Sequence, residues 1–436
     1  MRFAWRTLFF GLLFVPLALS AHAGGNGDLT LELSLALGLV SMSVLGATAI
    51  VPSRIRSLTR AFGISEVLVS HRWLGLAALG LVLAHLAFVV LANPSNINLL
   101  DFRVAPPRAQ AATSSTIALA LLCGLSVFRR KLSWLRRIGV FRLVHVGLAF
   151  AVLVLGALHV YWLDHLIRNQ AMKYCYWTLS ILLIVVLGRR WVVRPLLMYG
   201  KPFVVAEVIH ETPTASTLVL RADGVGHLGL RFNAGQFAWL RLDSPFRMFS
   251  ERPFTIASGA NKPDELQFTI RHVGVMTRRF ANLRPGRRMY VDGPYGSMHV
   301  DSPASEGLVL IAGGIGITPM MSMLRTLADR NDERHHRLVL GMRRVDDAMF
   351  TEEIGELRSR LHLSITLSLS DPHPGWRGPR GRIDAALLSQ VLGRRRRDRV
   401  DVFVCGPPPM IATVMTALAE LGVPSARIHT EEFDMV

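Results

Sequence analysis

HRWLGLAALGLVLAH, residues 71–85, and HVGLAFAVLVLGALH, residues 145–159, are apolar segments that each begin and end with a histidine. In both segments the histidines are 14 positions apart, almost four turns of helix at about 3.6 residues per turn, so both side chains project from one face. At a rise of about 1.5 Å per residue they lie roughly 21 Å apart along the axis, most of the thickness of a bilayer core. The spacing predicts two membrane-spanning helices with a histidine near each end.

Histidines in an apolar helix have two interpretations. A single one is more often a hydrogen-bonded core residue than a ligand. Ionisable residues inside a membrane are costly and mark functional sites, and four of them with matched spacing favour ligation. Imidazole is a good axial ligand of haem iron. We therefore predict that His71 and His145 hold one haem and that His85 and His159 hold a second, which together form a path for electrons across the membrane.

The composition is that of a membrane protein, because 51% of the 436 residues are hydrophobic and the mean hydropathy is +0.35. A net charge of +18 could indicate a nucleic-acid partner. A positive-inside bias explains the arginines in short loops between apolar segments, so no nucleic acid is expected. The three cysteines, Cys123, Cys175 and Cys405, are too few for an all-cysteine iron–sulfur cluster, and neither a structural zinc site nor a disulfide framework is expected.

The N-terminal part is expected to cross the membrane five or six times. Residues 1–23 have a basic start, an apolar run and small residues at the end, so they are either a cleaved signal peptide or a first span. Further spans are predicted at 31–51, 72–92, 114–128, 141–161 and 174–190. Arginine-rich loops follow the first, third and fifth of these, all on one side under simple alternation. That side is cytoplasmic by the positive-inside rule, and the protein is expected in the cell membrane.

This topology orders the histidines across the membrane. The spans 72–92 and 141–161 run from the cytoplasm outwards, so His71 and His145 form the inner pair and the other two form the outer pair. Arg72 and Arg142 lie beside the inner pair, where they could meet haem propionates or anchor the helices at the membrane interface. The residues from 201 onwards are expected in the cytoplasm.

From about residue 201 the pattern changes to that of a soluble protein. Short alternating runs predict strands of a small antiparallel barrel at 203–209, 217–221, 236–242 and 266–271. From about residue 305, strands alternate with helices, which predicts a parallel sheet covered by helices. Its strands are predicted at 308–312, 337–342, 364–370 and 400–405, and its helices at 320–330, 351–360, 383–392 and 410–421. The expected domain limits are therefore 24–200, 201–302 and 303–436.

The segment Arg252-Pro253-Phe254-Thr255 has residue types that suit a flavin nucleotide. An arginine can clamp a pyrophosphate through charge-assisted hydrogen bonds. The aromatic ring two positions later could lie against a flavin ring, and the threonine could bond a ring nitrogen. Phe254 would otherwise be a core residue.

A second segment, Gly274-Val275-Met276-Thr277, opens a predicted helix. Backbone N–H groups at a helix N-terminus bind phosphate readily, so we expect this segment near phosphate groups. Residues 293–296 are predicted as a tight turn.

The sharpest soluble motif runs from Gly313 through Gly314 and Gly316 to Thr318, between a strand and a helix. Glycines let a backbone approach a pyrophosphate, which then lies on the helix N-terminus. The spacing departs from G-x-G-x-x-G.

Two further segments follow parallel strands. Cys405, Gly406 and Pro407 lie at the carboxyl end of the last predicted strand, where ligands bind in open α/β sheets. Arg343 and Arg344 follow the second strand, where a cation could meet the 2′-phosphate of NADPH or be surface charge.

Together these motifs identify a family resemblance. Residues 201–436 resemble the ferredoxin–NADP reductase superfamily, with its motifs in order, and residues 31–190 look like the ferric reductase transmembrane domain. The fused pair resembles the ferric reductase and NADPH oxidase group. The resemblance implies FAD, two b-type haems and a reduced nicotinamide nucleotide as cofactors. It implies flavin contacts for Arg252, Phe254, Thr255 and residues 274–277, and nucleotide contacts for residues 313–318 and 405–407.

The resemblance also bears on the reacting groups. Thr255 and Cys405 are the predicted catalytic residues. Phe433 resembles the terminal aromatic residue that covers the flavin in this family, although three residues follow it. Arg252 and Phe254 stand where many relatives have other residues around the proline.

The expected activity is transfer of electrons from cytoplasmic NAD(P)H through FAD and two haems to an acceptor outside the membrane. Ferric iron or a ferric chelate is the expected acceptor. The alternatives are oxygen, giving superoxide, and an extracytoplasmic redox partner protein. NADPH is the expected donor and NADH the alternative. A haem-binding scaffold without enzymatic activity would leave the glycine loop unexplained.

Overall fold

The structure is a computed structural model that describes residues 1–22, 28–129, 131–132, 138–163, 169–224, 226–298, 300, 305–393 and 397–431. It divides into two compact units, Met1–Pro195 and Leu196–Val436. Phe433, predicted to cover the flavin, lies outside the described residues.

The first unit is helical. Its helices are α1 (Arg2–His22), α2 (Leu29–Ile50), α3 (Arg56–Phe62), α4 (Ile64–Ala92), α5 (Pro107–Phe128), α6 (Ile138–Tyr161) and α7 (Gln170–Gly188). A short helix, α8 (Arg194–Tyr199), begins in the first unit and ends in the second. Five of the described helices, α1, α2, α4, α5 and α6, are long and apolar enough to cross a membrane. The span predicted near 174–190 is present as the 19-residue helix α7, which is not among those five. The predicted bundle of five or six helices is confirmed.

Local capping sets the ends of these helices. The Asp28 carboxylate accepts hydrogen bonds from the first turn of α2, and Pro107 occupies the first turn of α5, where its missing N–H costs nothing. Helix α5 therefore begins seven residues before its predicted start at 114, because the hydropathy pattern marks the apolar run and not the cap. Helices α2 and α4 pack together, as do α5 and α6, around a core that includes Leu45, Ala78 and Val152.

The second unit begins with an antiparallel sheet. Its strands are β1 (Phe203–Thr212), β2 (Ala215–Ala222), β3 (Phe237–Leu242), β4 (Arg252–Thr255), β5 (Glu265–Arg271) and β6 (Arg288–Tyr295), in the order β4-β3-β6-β1-β2-β5. Just past β4, the Ala257 N–H donates to Gln267 O of β5 at 2.7 Å, which brings the two edge strands together as in the predicted barrel. Residues 293–295 end strand β6, so the prediction of a tight turn at 293–296 was wrong for them.

A parallel sheet follows, as predicted. Its strands are β7 (Leu308–Gly313), β8 (His336–Met342), β9 (Leu363–Leu369), β10 (Asp401–Cys405) and β11 (Ile428–Glu431), in the order β11-β10-β7-β8-β9. The helices of this unit are α9 (Val275–Ala281), which belongs with the antiparallel sheet, and α10 (Ile317–Asp329), α11 (Thr351–Arg360), α12 (Ala385–Leu392) and α13 (Pro408–Glu420). The strand order reverses between β7 and β10, and ligands bind at the carboxyl ends of such a switch point.

Candidate functional site

The four histidines lie on two helices, His71 and His85 on α4 and His145 and His159 on α6. In each ring the Nδ1 atom contacts an oxygen of a neighbouring helix, α2 for the first pair and α5 for the second. The contacts are Thr48 O at 2.9 Å from His71, Ser34 O at 2.7 Å from His85, Ser126 Oγ at 3.2 Å from His145 and Arg108 O at 2.9 Å from His159.

These contacts occupy Nδ1 and leave Nε2, the second ring nitrogen, available to bind a metal. A backbone carbonyl only accepts, so the Nδ1 atoms of His71, His85 and His159 donate a proton to it. The neutral ring then has its lone pair on Nε2, and an Nδ1–H held by an acceptor is the usual arrangement of a metal-binding histidine. The described residues therefore present the tautomer that a haem iron requires.

The inner pair also has a suitable separation. The ring centroids of His71 and His145 are 6.0 Å apart, with 61° between the ring planes. Metal–imidazole bonds of about 2 Å place the centroids of two imidazoles on opposite sides of one metal roughly 6 Å apart. The observed separation is close to this value, so it is compatible with the two rings binding one metal ion between them.

Helix α2 lies close to His85, the outer histidine of α4, at Gly38. A Cβ atom added at Gly38 of α2 would lie 3.1 Å from both Cε1 and Nδ1 of His85. Glycine at this position lets α2 approach the imidazole, and Ser34, one turn earlier, then reaches Nδ1.

A cavity of about 410 Å³ opens at the carboxyl ends of β7, β8, β9 and β10. Its lining includes Gly313, Gly314, Gly341, Arg343, Ser370, Arg382 and Pro407, together with Thr212, Thr214 and Arg271 from the antiparallel sheet. Four of the predicted nucleotide-binding residues, Gly313, Gly314, Arg343 and Pro407, are therefore brought together at one cleft. The cleft lies at the topological switch point, where a nucleotide is expected.

Two positions of the glycine loop favour glycine, each for a different reason. Gly314 has a left-handed backbone with φ of +54°, and a Cβ atom there would meet nothing within 4 Å. A Cβ atom at Gly316 would lie 2.2 Å from the carbonyl oxygen of Cys405. The loop therefore rests directly on the end of β10. Thr318, predicted to bind the nucleotide, is buried, and its hydroxyl donates to Ile315 O at 2.9 Å.

Cys405, which is buried, and Glu431, which is half-buried with a buried Oε2 atom, lie beside this loop. They are register partners on the parallel strands β10 and β11. Burial raises the pKa of the Cys405 thiol well above its usual value, and the neighbouring Glu431 raises it further, so the thiol stays neutral. Burial also raises the pKa of Glu431 to about 8. No motif in the sequence assigned a role to Glu431. The signal that could have marked it is an acid at the end of a short last strand.

Glu431 also reaches the antiparallel sheet. A Cβ atom at Gly296 would lie 3.0 Å from Glu431 Oε1, while the Oε2 atom is buried with no hydrogen-bond partner among the described residues. A carboxyl group placed this way stays protonated at neutral pH because its charged form is poorly solvated.

The predicted flavin segment forms strand β4. Phe254 is half-buried and packs edge-on against the buried Phe280 of α9, with ring centroids 5.7 Å apart, so part of its ring rests on the core and part stays exposed. Thr255 is buried, whereas Arg252 and Pro253 are half-buried. In the second segment, the Thr277 hydroxyl accepts from Gly274 N–H and donates to Gly274 O, both at 2.9 Å, which shapes the start of α9. Val275 is 87% exposed and Met276 half-buried.

A buried ion cluster anchors the start of β4 and was missed from the sequence. Arg241 of β3 is fully buried and pairs with Glu251 Oε2 at 2.8 Å and Asp292 Oδ2 at 3.0 Å. Tyr295 donates to the other Asp292 oxygen. Because buried charges require such complete pairing, the cluster holds Glu251, and with it the adjacent Arg252, in one position.

The two arginines predicted to read a 2′-phosphate share one carboxylate. Asp371, just past β9, lies 2.9 Å from Arg344 Nε and 3.5 Å from Arg343 Nε. The hydrogen bond and charge of Arg344, with a smaller contribution from Arg343, lower the pKa of Asp371. The carboxylate therefore offsets part of the positive charge at this edge of the cleft.

Three family models match consecutive parts of the chain. A ferric reductase-like transmembrane component matches residues 37–156, an oxidoreductase FAD-binding domain matches 205–300, and an oxidoreductase NAD-binding domain matches 310–416. The first model coincides with the helices that hold the four histidines, and the last with the glycine loop and its cleft.

Curated relatives match the C-terminal half. Ferredoxin–NADP reductase B of Sorangium cellulosum is 30% identical over 223 residues, which are 49% of this chain and 89% of that protein. The reductase component of propane 2-monooxygenase from Rhodococcus jostii is 29% identical over 236 residues, 51% of this chain but only 61% of that protein. A solved structure, the flavohem-like FAD/NAD-binding domain of nitric oxide dioxygenase from Vibrio cholerae, is 23% identical and covers 54% of this chain and 98% of that domain, with a TM-score of 0.48.

The helices, the sheets and these matches agree along the chain. The protein is a multi-pass membrane protein and an NAD(P)H-dependent oxidoreductase with FAD- and NAD-binding domains. It belongs to the ferredoxin–NADP reductase-like oxidoreductases, and in this chain that module is fused to a ferric reductase-like transmembrane component.

Proposed function

We propose that the protein transfers electrons from cytoplasmic NAD(P)H across the cell membrane to ferric iron or a ferric chelate outside. The observation that supports this most strongly is the inner histidine pair, with centroids 6.0 Å apart and both Nδ1 atoms held by neighbouring helices. The matched ferric reductase-like component supports the choice of acceptor. The positive-inside pattern supports the cytoplasmic placement of residues 201–436.

Four histidines of this chain would hold two b-type haems, His71 with His145 on the inner side and His85 with His159 on the outer side. When bound, FAD converts a hydride into single electrons, and the haems relay them. The neighbouring helices α2 and α5 keep the Nε2 atoms of the ligands in their orientation through the Nδ1 contacts.

The second unit would bind FAD and the nucleotide in two proposed domains, 201–302 and 303–436, after a haem domain at 24–200. Arg252, Pro253, Phe254 and Thr255 would bind the flavin with residues 274–277, and the buried Arg241 cluster supports this role because it holds the start of β4.

The nucleotide would lie in the 410 Å³ cavity, against Gly313, Gly314 and Pro407. Cys405 is fully buried directly behind that loop, where its neutral thiol would add no negative charge to the site. Glu431, with a pKa of about 8, would hold a proton at its carboxyl group in the same place.

Proteoliposomes give the most direct test. Vesicles containing the purified protein would be loaded with a ferric chelate and a ferrous-specific dye. NADH or NADPH would then be added outside the vesicles under argon. Only protein molecules whose soluble module faces outwards can use the added nucleotide. We expect ferrous iron inside the vesicles. Formation of superoxide in air with no ferric reduction would favour oxygen as the acceptor. Reduction of neither would point to a redox partner protein.

A variant at the outer pair separates the haem relay from the flavin reaction. His85→Ala should lower the haem content from two to one per chain, measured as the pyridine haemochrome, because imidazole is the axial ligand of that haem. Flavin reduction by the nucleotide should persist, while ferric reduction inside the vesicles should be lost. Full haem content in His85→Ala would show that the assigned pairing is wrong.

A further inference from the structure

The four histidine contacts follow one design with a single exception. Ser34 and Thr48 on α2 are 14 positions apart, like the two histidines of α4, and each offers its backbone carbonyl to one ring. On α5, Arg108 does the same for His159. His145 differs, because its Nδ1 contacts the Ser126 hydroxyl and no backbone carbonyl among the described residues. A hydroxyl, that of Ser34, also lies 3.3 Å from Nδ1 of His85, but there it adds to the carbonyl contact.

The other hydrogen bond of Ser126 determines which atom is the donor in its contact with His145. A serine hydroxyl has one proton to donate. Ser126 Oγ donates it to Leu122 O, one turn earlier on α5, at 2.7 Å. Towards His145 the hydroxyl can then only accept, so Nδ1 of His145 is the donor at 3.2 Å. The Nε2 atom therefore has the free lone pair, as in the other three rings.

The acceptor at Nδ1 affects how strongly His145 would bind a metal. An acceptor at Nδ1–H makes an imidazole more basic and strengthens its bond to a metal. At 3.2 Å the contact at His145 is longer than the three carbonyl contacts, which are 2.7 to 2.9 Å. The strength of the bond that His145 would make to a metal therefore depends on one replaceable side chain.

We propose that Ser126 is a positioning residue of the inner haem site, which fixes the tautomer of His145 and adjusts the reduction potential of that haem alone. This inference rests on the proposed function, since it needs a haem between His71 and His145. It concerns a single hydroxyl, whereas the other three rings are held by backbone that substitution cannot remove.

The test compares Ser126→Ala with the wild-type protein by potentiometric titration and electron paramagnetic resonance. Loss of the acceptor should make His145 a weaker donor to iron, which favours the reduced form. We expect two haems per chain, a higher midpoint potential for one of them, an altered low-spin signal for the same haem, and no change in the other.

Two variants separate this role from simple packing. Ser126→Thr keeps a hydroxyl at the same position and should restore the wild-type potential. Ser115→Ala removes another hydroxyl of α5, which donates to Val152 O of α6 at 3.0 Å and contacts no histidine among the described residues, and should leave both potentials unchanged. If Ser126→Ala loses one haem instead, retention of that haem in Ser126→Thr supports the same role.

Unchanged potentials and signals in Ser126→Ala, with both haems present, would overturn the inference and leave the proposed function intact. The same shift in Ser115→Ala would also overturn it, because any loosening of the α5–α6 contact would then suffice. Wild-type protein without a bis-histidine low-spin signal would contradict the proposed function itself.

Discussion

Asp371 is the residue that most affects the choice between NADH and NADPH. Its carboxylate lies between Arg343 and Arg344 at the edge of the cleft. Asp371→Ala would free both guanidinium groups for the 2′-phosphate that distinguishes NADPH. Since ion pairs between exposed side chains are weak, the KM for NADPH should fall only severalfold, while that for NADH should change little. Steady-state kinetics with both nucleotides measure the ratio.

Asp346→Ala is the matched control for Asp371, because it removes an exposed carboxylate from the segment that follows the two arginines and should leave the ratio near that of the wild type. An equal change for both nucleotides in Asp371→Ala would mean that the ion pairs serve the fold. Arg343 and Arg344 would then have no role in recognising the phosphate.

At the scale of elements, the contact between α2 and α4 depends on Gly38. A Cβ atom added at Gly38 would lie 3.1 Å from the His85 ring. The larger side chain of Gly38→Val should therefore displace either the ring or helix α2. We expect loss of the outer haem, measured as a haem content that falls towards one per chain, with flavin content unchanged.

Gly46→Val tests the same substitution elsewhere on α2. A Cβ atom at Gly46 meets nothing within 4 Å, so this variant should keep both haems. Equal haem loss in the two variants would mean that valine at either position disturbs helix α2 itself, and that the contact between Gly38 and His85 has no special role.

For the whole molecule, Glu431 makes stability depend on pH. Its pKa is raised from 4.5 to about 8 in the folded protein, so between these values the folded state binds a proton that the unfolded chain has lost. Stability should therefore fall as the pH rises from about 4.5 to about 8. Glu431→Gln keeps a neutral group at this position and should flatten that decline. Thermal unfolding in detergent, followed by flavin release from pH 5 to pH 9, measures it.

His336 provides an internal control for the same experiment. It is fully buried at the start of β8 and its Nδ1 accepts from Leu308 N–H, away from the cleft. Burial lowers its pKa from 6.5 to about 4, so stability should fall as the pH drops from 6.5 towards 4. Glu431→Gln should leave this acidic decline unchanged. If the stability of Glu431→Gln falls with rising pH as steeply as that of the wild type, the raised pKa of Glu431 is contradicted.

The sequence by itself determined the elements and their order, because these depend on local patterns. A 14-residue spacing in an apolar run placed the histidines on α4 and α6, and alternation with period two or 3.6 distinguished the strands from the helices. Glycine was required in the loop at 313–316 because the backbone turns there and approaches β10. The positions of Gly313, Gly314, Arg343 and Pro407 at one cleft followed from the rule that parallel strands end at the same edge.

Only the tertiary structure decided which groups meet. Asp371 neutralises an arginine 27 positions away, the hydroxyl of Ser126 reaches a histidine 19 positions away, and the partner of Cys405 is Glu431 on the next parallel strand. Phe254 packs against Phe280, a residue of the core of the antiparallel sheet. A pKa, an ion pair or a ligand orientation depends on burial and on distances of a few ångströms between distant segments. Such distances exist only once the helices and sheets have packed.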